Sequence, residues 1–209
     1  MRRPSKLRLI LADDHTLVRE GLSLILDTVA DMTIVAHAST GEEAIDLFLK
    51  HEPDLLLLDI HMPGEGGLNA VKRILKNRPH ARILILTAYD TEEEIYRSML
   101  AGAGGYILKD TPPDELISAI RTVASGQRFM SRSTGAKLAG RIGAPELTNR
   151  ELVILQCVAS GRANKEIADQ LGVSEGTVKS HVNKIMRKLG AVSRTDAALV
   201  GLRKGLVKA

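Results

Sequence analysis

The sequence has no tryptophan and one cysteine, and aromatics make up only 2% of its 209 residues. A core built from it is therefore aliphatic, and the ring platforms on which single-stranded nucleic acid stacks are missing. Cys157 has no partner for an internal disulfide and reads as a small apolar residue on a helix. No apolar run approaches the length needed to span a bilayer. The start, Met1-Arg2-Arg3-Pro4-Ser5-Lys6, is basic, but the apolar segment after it soon meets Asp13-Asp14. A signal peptide is therefore not expected, and the cytoplasm is the expected location, with no membrane partner. What remains is ample: a hydrophobic fraction of 44% permits a core, and the length allows one large domain or two modest ones.

Charge is divided unevenly along the chain. Residues 1–125 carry 14 Lys and Arg against 19 Asp and Glu, a net of −5, whereas residues 126–209 carry 15 against 6, a net of +9. An acidic module joined to a basic one is implied, and the basic one is a candidate for nucleic-acid binding.

The acidic part alternates strand-like and helix-like segments. Strands are expected at Leu7–Ala12, Thr33–Ala38, Asp54–Leu58, Arg82–Thr87 and Gly105–Leu108. Helical spacing joins Val18, Leu22, Ile25 and Val29, and capping boxes open helices at Thr40-x-x-Glu43 and Thr91-x-x-Glu94. A further helix is expected from Pro113 to Ser125, with proline tolerated in its first turn. Five β-α units imply a parallel sheet covered on both faces, and the fold expected is a flavodoxin-like, doubly wound, five-stranded sheet of order 2-1-3-4-5.

After Gly126 that alternation stops. Residues 126–146 read as a linker with a short helix, the basic amphipathic segment Ser131–Ile142, followed by Gly143-Ala144-Pro145. Residues 147–209 read as a separate all-α, four-helix domain, and residues 1–125 as the α/β one. Its helices are expected at about Asn149–Ser160, Lys165–Leu171, Glu175–Leu189 and Arg194–Leu206. The first opens on a capping box, Thr148-x-x-Glu151, with Leu147 and Leu152 as its hydrophobic staple.

The stretch Asp54-Leu55-Leu56-Leu57-Leu58-Asp59 puts a carboxylate at the end of a strand buried on both faces, where an unpartnered charge is costly. Asp13-Asp14 end the first strand, and in the flavodoxin-like order that strand neighbours the third where strand order reverses, the usual ligand crevice of such sheets. Three carboxylates gathered there repel one another unless a cation joins them, and hard oxygen ligands suit Mg²⁺. Taken alone, a strand-end aspartate such as Asp59 more often caps a turn; the three together argue for the cation. Thr87 and Lys109 end the fourth and fifth strands, adding a hydroxyl and an ammonium suited to a phosphoryl group.

With these positions in hand, residues 7–125 resemble the receiver domain of two-component response regulators: Asp13-Asp14, Asp59 followed by Met62-Pro63-Gly64, Thr87 and Lys109 all match. The resemblance implies that Asp59 accepts a phosphoryl group from a sensor histidine kinase. It implies Mg²⁺ ligation by Asp14, Asp59 and the backbone carbonyl of His61, with Asp13 acting largely through water. Thr87 and Lys109 would contact the phosphoryl group, and Tyr106 holds the family's switch position. Tyr106 as a plain core residue of an edge strand is the alternative.

In the basic part, Ile167-Ala168-Asp169-Gln170-Leu171-Gly172-Val173-Ser174 reads as helix, tight turn and helix cap. The next helix is apolar along Val178, Val182, Ile185 and Leu189. Its opposite face shows Ser180, Asn183, Lys184 and Arg187, with Lys179 and Lys188 at the margins. Such a helix suits the major groove, although a solvated charged face looks the same. Residues 147–195 resemble the LuxR/NarL-type helix-turn-helix, carried by Leu147-Thr148-x-x-Glu151, Asn164-Lys165-Glu166-Ile167-Ala168, Thr177-Val178-Lys179-x-His181 and Lys188-Leu189. By that similarity Lys179, Ser180 and Asn183 face base edges. Asn164, Lys165, Thr177, His181, Lys184 and Arg194 contact phosphates or position the helix, and the last helix serves dimerisation.

The sequence therefore leads to a regulator phosphorylated on Asp59 that dimerises and binds an inverted-repeat operator in double-stranded DNA, with RNA polymerase as a candidate further partner. It is not expected to be an enzyme beyond slow self-dephosphorylation. The alternative is a phosphorylation-independent DNA-binding factor with a vestigial receiver. A phosphatase of the haloacid-dehalogenase type is disfavoured, because the second aspartate it needs is replaced by His61.

Overall fold

A computed structural model describes residues 6–142 and 145–208. The basic start of the chain and Gly143-Ala144 of the expected linker lie outside the described residues. The chain forms two compact units: residues up to Asp90 with Ile95–Gly135, and Thr91–Glu94 with Ala136 onward. Among the described residues no helix is long and apolar enough to cross a membrane.

The first unit runs β1 (Leu7–Ala12), α1 (Thr16–Asp27), β2 (Met32–Ala38), α2 (Gly41–His51), β3 (Leu55–Leu58), α3 (Gly67–Asn77) and β4 (Ile83–Thr87). The chain continues with α4 (Glu92–Leu100), whose first three residues fall in the second unit, then β5 (Gly105–Leu108), α5 (Pro113–Ala124) and β6 (Phe129–Met130). All strand pairs are parallel, in the order β2-β1-β3-β4-β5-β6. The expected order stands, with one strand added. β6 pairs only Gly105 with Phe129 and Tyr106 with Met130, too short a run to show the two-residue period that reveals strands. Within residues 126–146 β6 is thus the addition, and the short helix lies at α6 (Arg132–Ile142).

The sheet holds the functional strand ends in place because both its faces are buried. Leu9, Leu11, Leu55, Leu57, Leu84 and Leu86 point to one face and pack with Leu26 of α1 and Leu116, Ala119, Ile120 and Val123 of α5. The alternate residues Ile10, Leu56, Leu58, Ile83 and Ile85 point to the other face, and they too are buried. All four leucines of β3 are fully buried, each stabilising the fold by about 1.5–3 kcal/mol. Register then places the carboxylates: Ala12 lies opposite Leu58, the Asp59 N–H donates to the Ala12 carbonyl at 2.8 Å, and the Asp13 N–H donates to the Ala38 carbonyl at 3.1 Å.

The helical part of the second unit comprises α7 (Asn149–Ala159), α8 (Asn164–Leu171), α9 (Glu175–Leu189) and α10 (Arg194–Arg203). α7 opens on the full capping box, Thr148 accepting from the Glu151 N–H and Glu151 from the Thr148 N–H. Gly172, at φ +64°, ends α8 in the left-handed conformation that glycine adopts without strain. Two residues later Ser174 caps α9 by accepting from the Thr177 N–H. Ile154, Leu155 and Val158 of α7 meet Ile167 of α8, Val178, Val182 and Ile185 of α9, and Ala197 of α10 in one core. The apolar stripe of α9 is therefore fixed inward and its polar face outward. α10 ends at Arg203, short of the expected Leu206, and Leu206 packs against this core from the following turn.

Candidate functional site: an acidic centre and a basic helix

Asp13 and Asp59 are fully buried at the carboxyl ends of β1 and β3, and Asp14 is partly buried beside them. Their charge is countered by Lys109, which follows β5. Its ammonium lies 2.6 Å from Asp59 Oδ2 and 2.7 Å from Asp13 Oδ2. Burial, the largest single influence on this lysine, favours its neutral form, but the bonds to Asp13 and Asp59 outweigh it. The ammonium is held above the ordinary lysine range and stays charged.

The loops add backbone donors. The His61 N–H donates to Asp59 Oδ1 at 2.9 Å, and the His15 N–H to Asp13 Oδ1 at 2.9 Å. Room for this arrangement depends on Gly67 at the start of α3. A Cβ there would lie 2.2 Å from the Asp59 carbonyl oxygen and 2.6 Å from Ile60 Cα, so α3 can approach the Asp59 loop only through a glycine.

Asp13, Asp14, Asp59 and His15 each offer a ligand atom, and these atoms all lie within 4.8 Å of one another. Asp13 Oδ2 and Asp14 Oδ1 are buried, the first 2.7 Å from the Lys109 ammonium and the second 2.7 Å from His15 Nδ1. Three carboxylates beside one ammonium leave negative charge and hard oxygen donors that fit a divalent cation, and the group can hold a metal ion. His15 was not among the expected ligands. Its only sequence signal is its place directly after Asp13-Asp14, since a half-exposed loop histidine has no periodic pattern.

Thr87 is fully buried at the end of β4 and accepts the Tyr89 N–H through its hydroxyl oxygen at 3.3 Å. Tyr106 is fully buried too, its hydroxyl donating to the Tyr89 carbonyl at 2.7 Å. Because β6 covers β5, Tyr106 is not on an edge strand. The rings of His61 and Tyr89 meet edge-on with centroids 4.6 Å apart, so the loops after β3 and β4 touch beside the carboxylates.

On α9, Lys179, Ser180, Asn183, Lys184 and Arg187 are exposed, with side chains free of protein partners among the described residues; exposed Thr177 shares its hydroxyl with Ser174. Lys165 of α8 is likewise exposed and free. Lys188 turns inward, its ammonium 2.7 Å from Glu151 Oε2 and 2.9 Å from the Glu146 carbonyl. Helical spacing gives the direction of its Cα–Cβ bond, but the four-carbon stem reaches back to a buried carboxylate. The Arg194 guanidinium donates to Asn164 Oδ1 at 2.5 Å and to the Arg162 carbonyl, so both Arg194 and Asn164 are engaged in fixing the start of α8. His181 is half-buried, with Nδ1 enclosed and accepting no hydrogen bond.

The chain matches two families in sequence order. Residues 9–121 match the family described as response regulator receiver domain, and residues 145–200 the bacterial regulatory proteins of the luxR family. The chain belongs to the response regulators, in the group that couples a receiver to a luxR-type helix-turn-helix. It is 42% identical to the transcriptional regulatory protein YxjL of Bacillus subtilis, over 97% of this chain and 98% of that one. It is 40% identical to the oxygen regulatory protein NreC of Staphylococcus carnosus, over 96% and 99%. RcsB of Salmonella enterica serovar Typhimurium, solved bound to a promoter in the presence of phosphomimetic BeF3−, aligns with a TM-score of 0.74 at 25% identity, over 96% of this chain and 100% of that one. This protein is a DNA-binding response regulator of a two-component system.

Proposed function

We propose that Asp59 is the phosphoryl acceptor, that Mg²⁺ sits among the carboxylates, and that phosphorylation favours a dimer whose α9 helices read an inverted-repeat operator. A sensor histidine kinase is the donor, and the protein works in the cytoplasm. The observation that carries this reading is the placement of Asp59: buried, immobilised by β3, and 2.6 Å from a lysine ammonium that stays charged.

In the transfer, an Asp59 carboxylate oxygen attacks phosphorus in line with the departing imidazole nitrogen of the donor. One O–P bond forms, the P–N bond breaks, and the imidazole leaves with the electron pair and takes a proton. Asp14, Asp59 and the His61 carbonyl would hold the ion, with Asp13 acting largely through water. When bound, Mg²⁺ supplies the positive charge that lets an anionic phosphoryl group approach an anionic carboxylate. Lys109 offsets carboxylate charge before transfer and is placed to bind a phosphoryl oxygen after it. The phosphoryl group adds about −1.5 to −2 charge and three acceptor oxygens. Thr87 can turn its hydroxyl to donate to one of them, releasing the Tyr89 N–H it now accepts. Tyr89 also takes the Tyr106 hydroxyl bond, so the shift reaches Tyr106, the switch residue.

For DNA, Lys179, Ser180 and Asn183 are assigned to base edges, and Lys165, Thr177, His181, Lys184 and Arg187 to phosphates or the sugar backbone. Arg194 and Asn164 position α8, and α10 serves the dimer. RNA polymerase is a further partner in this reading. The test is incubation with acetyl phosphate and Mg²⁺, followed by intact-mass measurement. One phosphoryl group should be added to the wild type and none to Asp59→Asn; a label that persists in the variant refutes the acceptor assignment.

A further inference from the structure

His15 is the N-cap residue of α1, yet its side chain makes no capping hydrogen bond. Its backbone N–H is taken by Asp13 Oδ1, and its ring is turned toward the carboxylates instead, with Nδ1 2.7 Å from Asp14 Oδ1 and 3.3 Å from Asp13 Oδ1. Nε2 has no partner among the described residues. The ring is 65% exposed, so packing does not force it there. Meanwhile a ligand atom from each of Asp13, Asp14, His15 and Asp59 falls within 4.8 Å of the others.

From this geometry we infer that His15 adds an imidazole nitrogen to the cation centre and tilts its preference from Mg²⁺ toward Mn²⁺ and the later first-row divalent ions. The inference rests on the metal centre proposed above and deepens it. Mg²⁺ takes oxygen ligands and gives them up to nitrogen reluctantly, whereas imidazole suits Mn²⁺ less than Ni²⁺ or Zn²⁺ but all of them better than Mg²⁺. Asp14 and His15 are also consecutive, so the chain itself keeps a carboxylate and an imidazole at the mouth of one site.

The test uses the full chain with Mg²⁺, Mn²⁺ and Ni²⁺ titrated separately into the wild type, His15→Ala and His15→Gln. Expected is a loss of Mn²⁺ and Ni²⁺ affinity on the order of tenfold in both variants, largest for Ni²⁺, with Mg²⁺ affinity unchanged within about twofold. Pulsed electron paramagnetic resonance of bound Mn²⁺ should show nitrogen-14 coupling in the wild type and lose it in both variants. Circular dichroism checks that the variants fold, which the exposure of His15 favours. A set of affinities that shifts equally for all three ions overturns the inference and marks His15 as a charge partner of Asp14 alone. So does Mn²⁺ bound without nitrogen coupling, while the metal centre itself survives either result. If Asp14→Asn leaves the affinity for every ion intact, or the wild type binds none, it is the proposed metal centre that fails.

Discussion

Replacing Lys188 by methionine separates a structural lysine from a DNA-binding one on the same helix. Its ammonium is 2.7 Å from Glu151 Oε2 and 2.9 Å from the Glu146 carbonyl, and Glu151 is only 4% exposed. Breaking a buried ion pair from one side costs roughly 3–5 kcal/mol, because a charge is left enclosed. Lys188 is 26% exposed, and Glu151 keeps its hydrogen bond from the Thr148 N–H, so water and that bond absorb part of the loss. About 2 kcal/mol remains. Hydrogen exchange of the Val182 and Ile185 amides in the full chain reports local opening, and should speed by roughly 30-fold. Methionine keeps the apolar stem, so lost packing contributes little.

The same variant carries a pH signature. Burial, the largest influence on Glu151, raises its pKa, but the Lys188 bond and the Thr148 bonds outweigh it and hold the carboxyl below its usual value. A depressed folded pKa contributes stability that is complete above the unfolded value of about 4.3 and lost as pH falls through the folded one. Acidification below about pH 4.3 should therefore weaken the wild-type helical unit more than that of Lys188→Met, which keeps only the Thr148 bonds. Meanwhile the salt dependence of DNA binding should not change. Normal exchange together with a salt slope reduced by about one unit would refute this reasoning and return Lys188 to the DNA-facing surface.

Lys184→Ala should do the opposite, flattening the salt slope by roughly one unit with no change in amide exchange. Lys179→Ala should narrow the ratio of operator to non-specific affinity by about 1–3 kcal/mol, and an unchanged ratio excludes base reading. Gly67→Ala should slow phosphorylation by acetyl phosphate while the chain stays folded, because a Cβ 2.2 Å from the Asp59 carbonyl oxygen pushes α3 or the Asp59 loop aside. A rate equal to wild type would show that the loop does not need that approach.

Much of the first unit was legible because its signals are local. Runs such as Leu55–Leu58 and Ile83–Thr87 form buried parallel strands, and threonine caps announce helix starts: Thr40 accepts the Glu43 N–H and Thr148 that of Glu151. Strand ends then place Asp13, Asp59, Thr87 and Lys109 on one edge, since parallel strands in register end together. β6 was not legible, because a strand of two residues has no period and exists only where β5 offers it an edge.

The sequence by itself determined the order of strands and helices, the apolar stripe of α9, and the gathering of carboxylates at one end of a parallel sheet, all consequences of periodicity and capping that act within a few residues. Only the tertiary structure decided where flexible side chains reach. It turned Lys188 back to Glu151, tied Arg194 to Asn164, and set His15 against Asp14, because a long or exposed side chain is placed by the partners that fold around it, not by its position in the pattern.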